Sequence, residues 1–98
     1  MTMTLGILVL LEAKPGKGDE LAAFLKAGRD LAVAEGGTVT WYVFKIDDTS
    51  YGIFDTFAAD DARIAHINGP IPAALAKVSA ELLASEPSIR TVDLVAVK

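Results

Sequence analysis

The sequence predicts an α+β domain, in which helices cover one face of a four-stranded antiparallel sheet. Three observations lead there. Short apolar runs of β character alternate with stretches of helical period, in the order β-α-β-β-α-β. Turn chemistry separates each run from the next. The two middle strands are joined by a short polar turn, as hairpin partners are. A chain of 98 residues forms a single domain, spanning 1–98, because it is too short to build two cores.

Thr4 to Ala13 is an apolar run closed by Lys14-Pro15-Gly16-Lys17-Gly18, and reads as the first strand. Asp19 to Glu35 takes helical period: Leu21, Phe24, Leu25, Gly28 and Leu31 share a face, with Asp19 and Glu20 where a helix N-terminus favours negative charge. Gly36-Gly37 is expected to end that helix in the left-handed conformation usual at a helix C-terminus. Thr38 to Ile46 is rich in β-branched and aromatic residues, Asp47-Asp48-Thr49-Ser50 turns the chain, and Tyr51 to Phe57 returns. Ala59 to Asn68 is a short helix broken at Gly69-Pro70. Pro72 suits the first turn of a second helix reaching about Ala84, with Ile71, Leu75, Val78 and Leu82 on one stripe. Ser88 to Val97 is the last strand. The order is that of the split βαβ, ferredoxin-like fold, with its second helical element in two pieces.

Composition narrows the function. Hydrophobic residues make up 52% of the chain and charged ones 22%, which excludes intrinsic disorder. With 9 basic against 13 acidic residues and a net charge of -4, no basic stripe is available for nucleic acid. The absence of cysteine excludes disulfides, thiol nucleophiles and Cys-based zinc sites. A single His, with no HExxH spacing, leaves little for a transition metal. There is no GxGxxG, P-loop or CxxCH, so no cofactor is expected. The Leu5 to Leu11 run lacks a preceding basic residue and a cleavage pattern, and is too short to span a bilayer. The chain is therefore expected to be cytoplasmic, with no membrane partner.

The strands are anomalous. A sheet wet on one face should alternate apolar and polar residues. Here Val39, Trp41 and Val43 oppose Tyr42, Phe44 and Ile46, while Leu5, Ile7, Val9 and Leu11 oppose Leu8 and Leu10. Tyr51, Ile53 and Phe57 likewise oppose Phe54. Helices hide one face only. The other would be an apolar patch larger than soluble monomers usually carry, so a homodimer stacked sheet on sheet is expected.

Three segments resemble the antibiotic biosynthesis monooxygenase family: Leu11-Glu12-Ala13-Lys14-Pro15-Gly16-Lys17, Gly37-Thr38-Val39-Thr40-Trp41-Tyr42, and Gly52-Ile53-Phe54-Asp55-Thr56-Phe57 running on through Ala65-His66-Ile67-Asn68-Gly69-Pro70. The resemblance covers essentially the whole domain. It implies a dimeric α+β barrel with a pocket in each subunit between sheet and helices. It also implies an oxidoreductase: a cofactor-free oxygenase of anthrone-like aromatics or quinols. The alternative is a non-catalytic dimeric protein that binds a small ligand in the same fold. Haem degradation, known among relatives, depends on an Asn of the first strand, and Thr4 to Ala13 contains none.

His66 is the first candidate for catalysis, being the one side chain whose unperturbed pKa lies near neutrality. Near the Gly69-Pro70 break it is placed to line a cleft and act as general base; the structural reading is a helix residue capping its own carbonyls, or one at the surface. Asp55, among Ile53, Phe54 and Phe57, is costly to bury unpaired. It would orient His66 or bind a substrate hydroxyl, or else cap the helix that follows or pair with Arg63 or Arg90 for structural reasons. Trp41, Tyr42, Phe44 and Phe24 are the candidate aromatic lining, with Asn68 a polar partner. Trp41 and Tyr42 are adjacent, so only one of them meets the pocket.

Overall fold

Four strands, β1 (Leu5–Glu12), β2 (Thr38–Lys45), β3 (Ser50–Phe57) and β4 (Ser88–Asp93), pair antiparallel in the order β2-β3-β1-β4 in the computed structural model, which describes residues 4–98. Between them lie helices α1 (Gly18–Ala27), α2 (Arg29–Ala34), α3 (Asp60–Ile67) and α4 (Pro70–Leu82). This is the predicted ferredoxin-like class, with the most buried strands, β1 and β3, at the centre of the sheet. Their alternate side chains Ile7, Leu11, Tyr51, Ile53 and Phe57 are buried against Leu21 and Leu25 of α1 and Ile71, Leu75 and Leu82 of α4. Pro70 starts α4, where a missing N–H costs nothing.

Four expectations are corrected in detail. The long first helix is two helices joined at Gly28, whose N–H is shared between the carbonyls of Phe24 (3.3 Å) and Leu25 (3.1 Å). This tightened turn carries the chain past the Trp41 ring, which would lie 3.6 Å from a Cβ at Gly28. The helix also ends without a left-handed glycine. Among the described residues only Gly16 has positive φ, and Glu35 closes α2 in extended conformation (φ -84, ψ 105). Gly37 is required for space instead, since an added Cβ would stand 2.6 Å from the Cβ of Ala62. The last strand stops at Asp93 rather than Val97, and Val95 is fully exposed. Finally, a bulge between Thr38 and Thr40 displaces Val39 from the alternation the sequence suggested.

Register divides the sheet into two faces. Trp41, Val43, Ile53, Asp55, Ile7, Val9 and Ile89 look toward the helices. The opposite, helix-free face carries Leu8, Leu10 and Phe54 on the two central strands, flanked by Tyr42 and Phe44 of β2 and Val92 of β4. Thr40, Arg90 and Ser88 lie on the outer strands. Tyr42 is 56% exposed and Leu10 39%, so this face is greasy and open in the single chain. Gly52 lies directly beneath the Phe44 ring, where any side chain would collide with it.

Candidate functional site

Three elements converge on one imidazole. β3 places Asp55 in mid-sheet on the helix-facing side, the last turn of α3 carries His66, and the extended residue after α2 delivers Glu35. His66 Nε2 lies 2.9 Å from Asp55 Oδ2, and its Nδ1 lies 2.5 Å from Glu35 Oε1. The Thr38 hydroxyl donates to the same Glu35 oxygen at 2.8 Å. Phe57 tilts against the ring with centroids 5.3 Å apart. Asp55 is 1% exposed and His66 7%, so the pair is removed from bulk water.

The electrostatics follow from these contacts. Burial pulls the His66 pKa down, but the hydrogen bonds to Asp55 and then Glu35 outweigh it and leave the ring above its ordinary value. A doubly protonated ring donates to both carboxylates. A neutral one would turn a lone pair against one of them. Both nitrogens are therefore engaged, and the basic atoms left open are two carboxylate oxygens, Asp55 Oδ1 and Glu35 Oε2, each buried and without a hydrogen-bond partner; of the two residues, Asp55 borders the inner cavity. This differs from the expectation of a free His66 base. It also places the Asp55 partner on His66 rather than on an arginine. Arg63 is held by Asp60 (3.0 Å) and the Val92 carbonyl (3.2 Å), and Arg90 belongs to the helix-free face.

Asp55 and His66 border a cavity of about 50 Å³ with Ile7, Val9, Ile67, Pro72 and Ile89. A neighbouring cavity of about 140 Å³ is walled by Phe24, Gly28, Leu31, Trp41 and Ala74. Ile53, Ile71 and Leu75 belong to both, so only side chains part them. Trp41 Nε1 is buried and also without a partner. Since Trp41 and Asp55 are paired across the sheet, one unmet donor and one unmet acceptor share this interior.

Of the residues singled out from sequence, the structure thus brings together Asp55 and His66, and sets Trp41 and Phe24 in the adjoining cavity. Tyr42 and Phe44 are not in the lining; strand alternation turns them to the helix-free face. Asn68 is exposed and donates to the Ile64 carbonyl at 3.2 Å, closing its own helix instead of facing the cavity. Glu35 escaped the sequence reading. Its signal was a carboxylate at a helix C-terminus, where the dipole disfavours negative charge unless a cation compensates.

Among the described residues, no group of three or more His, Cys, Asp or Glu side chains is arranged for a metal ion, and no helix is long and apolar enough to cross a membrane. No family model matches the chain, and no curated protein does either. Solved structures do. A protein from Pseudomonas aeruginosa superposes with a TM-score of 0.81 at 20% identity, covering 98% of each chain. An antibiotic biosynthesis monooxygenase superposes with a TM-score of 0.80 at 13% identity, over 94% of this chain and 99% of that one. Both establish likeness of fold. A protein of unknown function from Nitrosomonas europaea matches with a TM-score of 0.95 and 46% identity, over 98% of this chain and 93% of its own. The chain belongs to the family of that Nitrosomonas europaea protein, and its fold is that of the antibiotic biosynthesis monooxygenase-like structures.

Proposed function

We propose that the chain is a cofactor-independent monooxygenase, oxidising a small quinol- or anthrone-like aromatic with O₂ in the cavities beside Asp55. One observation carries the reading: Asp55 Oδ1 is a buried carboxylate oxygen with nothing to bind, at the wall of an apolar cavity. Such an atom is costly in a stable fold unless a ligand satisfies it. A cavity of roughly 150 Å³ lined by aliphatic side chains admits benzene, so the 140 Å³ space beside Trp41 suits a single ring. Larger ring systems need the smaller cavity to join it.

The substrate hydroxyl donates to Asp55 Oδ1 and passes its proton there. His66 holds Oδ2 and stabilises Asp55 in the required orientation. The resulting electron-rich anion gives one electron to O₂, and the radical and superoxide couple at a ring carbon. Overall the substrate loses two hydrogens and gains one oxygen atom, while the second oxygen leaves as water. The dry aromatic wall limits escape of the intermediates. In this proposal two copies also stack their helix-free faces around Leu8, Leu10, Tyr42, Phe44 and Phe54. A face of that kind offers about the 800 Å² per partner of a standard interface.

Oxygen consumption with a panel of hydroquinones tests the activity. Asp55→Asn should lower it by a factor of about 100 or more, the usual weight of a positioned base; unchanged consumption would refute the assignment. Trp41 is the only tryptophan and lines the larger cavity, so its fluorescence reports occupancy. Quenching by hydroquinones without oxygen uptake would favour the non-catalytic binding protein. A light-scattering mass near 10.3 kDa would refute the dimer.

A further inference from the structure

His66 belongs to two spaces at once. Inward it borders the apolar cavity with Asp55; outward it borders a surface cleft of about 240 Å³ with Glu35, Gly37, Thr38 and Ala62. Each ring nitrogen meets a carboxylate oxygen, at 2.9 Å on the cavity side and 2.5 Å on the cleft side. Between two ionised carboxylates, two contacts of this kind need two protons on the ring. Without Glu35, a neutral tautomer donating Nε2–H to Asp55 would serve as well, its Nδ1 lone pair turned to the cleft. Glu35 is thus the group that demands the second proton, and the Thr38 hydroxyl fixes it in place at 2.8 Å.

We propose that Glu35 is a positioning residue acting through His66: it holds the ring doubly protonated, so that the polar end of the cavity is a pure hydrogen-bond acceptor and takes neutral ligands bearing O–H or N–H in preference to anions. Both His66 donors are already spent on carboxylates, so the acceptors left unmet are Asp55 Oδ1, on a residue that borders the cavity, and Glu35 Oε2, while the unmet Trp41 Nε1 donor belongs to the adjoining cavity. The cluster sums to one negative charge, since two carboxylates face one imidazolium, and a second anion beside it is repelled at low dielectric. Among the described residues no other charged group meets the ring. β3 contributes Asp55 and Phe57, and the segment after α2 contributes Glu35. Around the cavity, β1, β4 and α4 contribute only Ile7, Val9, Ile89, Ile71, Pro72 and Leu75.

The preference for neutral ligands rests on the proposed ligand site, whereas the charge of the ring does not, so the test reads the ring in the ligand-free protein. His66 is the only histidine, and its imidazole ¹⁵N resonances assign themselves. In Glu35→Gln, which keeps an acceptor for Nδ1–H and for Thr38, the titration midpoint should fall by about 1–3 pH units. A midpoint that stays put in the folded variant overturns the proposal, whatever the oxygen assay reports. Should Glu35→Gln fail to fold, Glu35→Asp keeps the charge at greater distance and should lower the midpoint by less; no movement there overturns it equally. In the wild type, Trp41 quenching by hydroquinone but not by benzoate at pH 7 is the expected ligand result, and equal quenching by both overturns the charge preference.

Discussion

Removing His66 should damage the fold more than removing the charge of Asp55, although Asp55 is the more deeply buried of the two. His66→Ala strips the counter-ion from two carboxylates at once, Asp55 at 2.9 Å and Glu35 at 2.5 Å, and leaves a void where the ring stood. Breaking a buried ion pair in this way costs about 3–5 kcal/mol. Asp55→Asn is nearly isosteric, and His66 retains Glu35. It also removes an ionised oxygen, Oδ1, that has no partner and whose desolvation weighs about 1–3 kcal/mol against the fold. The two effects partly cancel, and a net loss of about 1–2 kcal/mol is expected. For a domain of 98 residues, with roughly 4 °C per kcal/mol at this size, the melting temperature should fall by about 12–20 °C in the first variant and by less than about 10 °C in the second. Urea unfolding at pH 6, where the ring is charged, gives the comparison directly. Equal losses, or a larger loss for Asp55→Asn, would refute the account of a cation shared between two carboxylates.

Other outcomes follow from the same structure. The raised His66 pKa contributes stability that is fully present below about 6.5, the ordinary value, and is lost as pH rises through the higher folded value. The stability difference between wild type and His66→Gln, from urea unfolding between pH 6 and 9, should therefore shrink as pH rises; a constant difference would contradict this. Gly52→Val drives a side chain into the Phe44 ring, and should cost about 1–3 kcal/mol in thermal unfolding and, if the proposed dimer forms through this face, weaken it in light scattering. Gly28→Ala keeps helical backbone angles (φ -65, ψ -16), but its Cβ would stand 3.2 Å from the Leu25 carbonyl oxygen as well as 3.6 Å from Trp41, so the gain of about 0.4–1 kcal/mol from a stiffer unfolded chain should be largely cancelled in the same melts.

The fold class and the two-sided character of the strands were legible in the sequence, because both rest on local periodicity. Apolar residues at spacing two or near 3.6 mark the elements whatever their neighbours, and alternation alone forced Trp41 and Tyr42 to opposite faces. Asp55 and His66 could be singled out by chemical type, each being unusual where it stands. What tertiary structure decided was everything that depends on the meeting of distant segments. Which aromatic faces the helices hangs on the sheet's sidedness, and so Tyr42 and Phe44 left the lining. Glu35 lies 31 positions from His66, and nothing local couples them. It reaches the ring because Gly37 packs against Ala62 and the chain leaves α2 extended instead of left-handed. The buried charge cluster, and with it the unpaired oxygen of Asp55, exists only where three elements cross, for Coulomb and hydrogen-bond energies depend on separation in space and not along the chain.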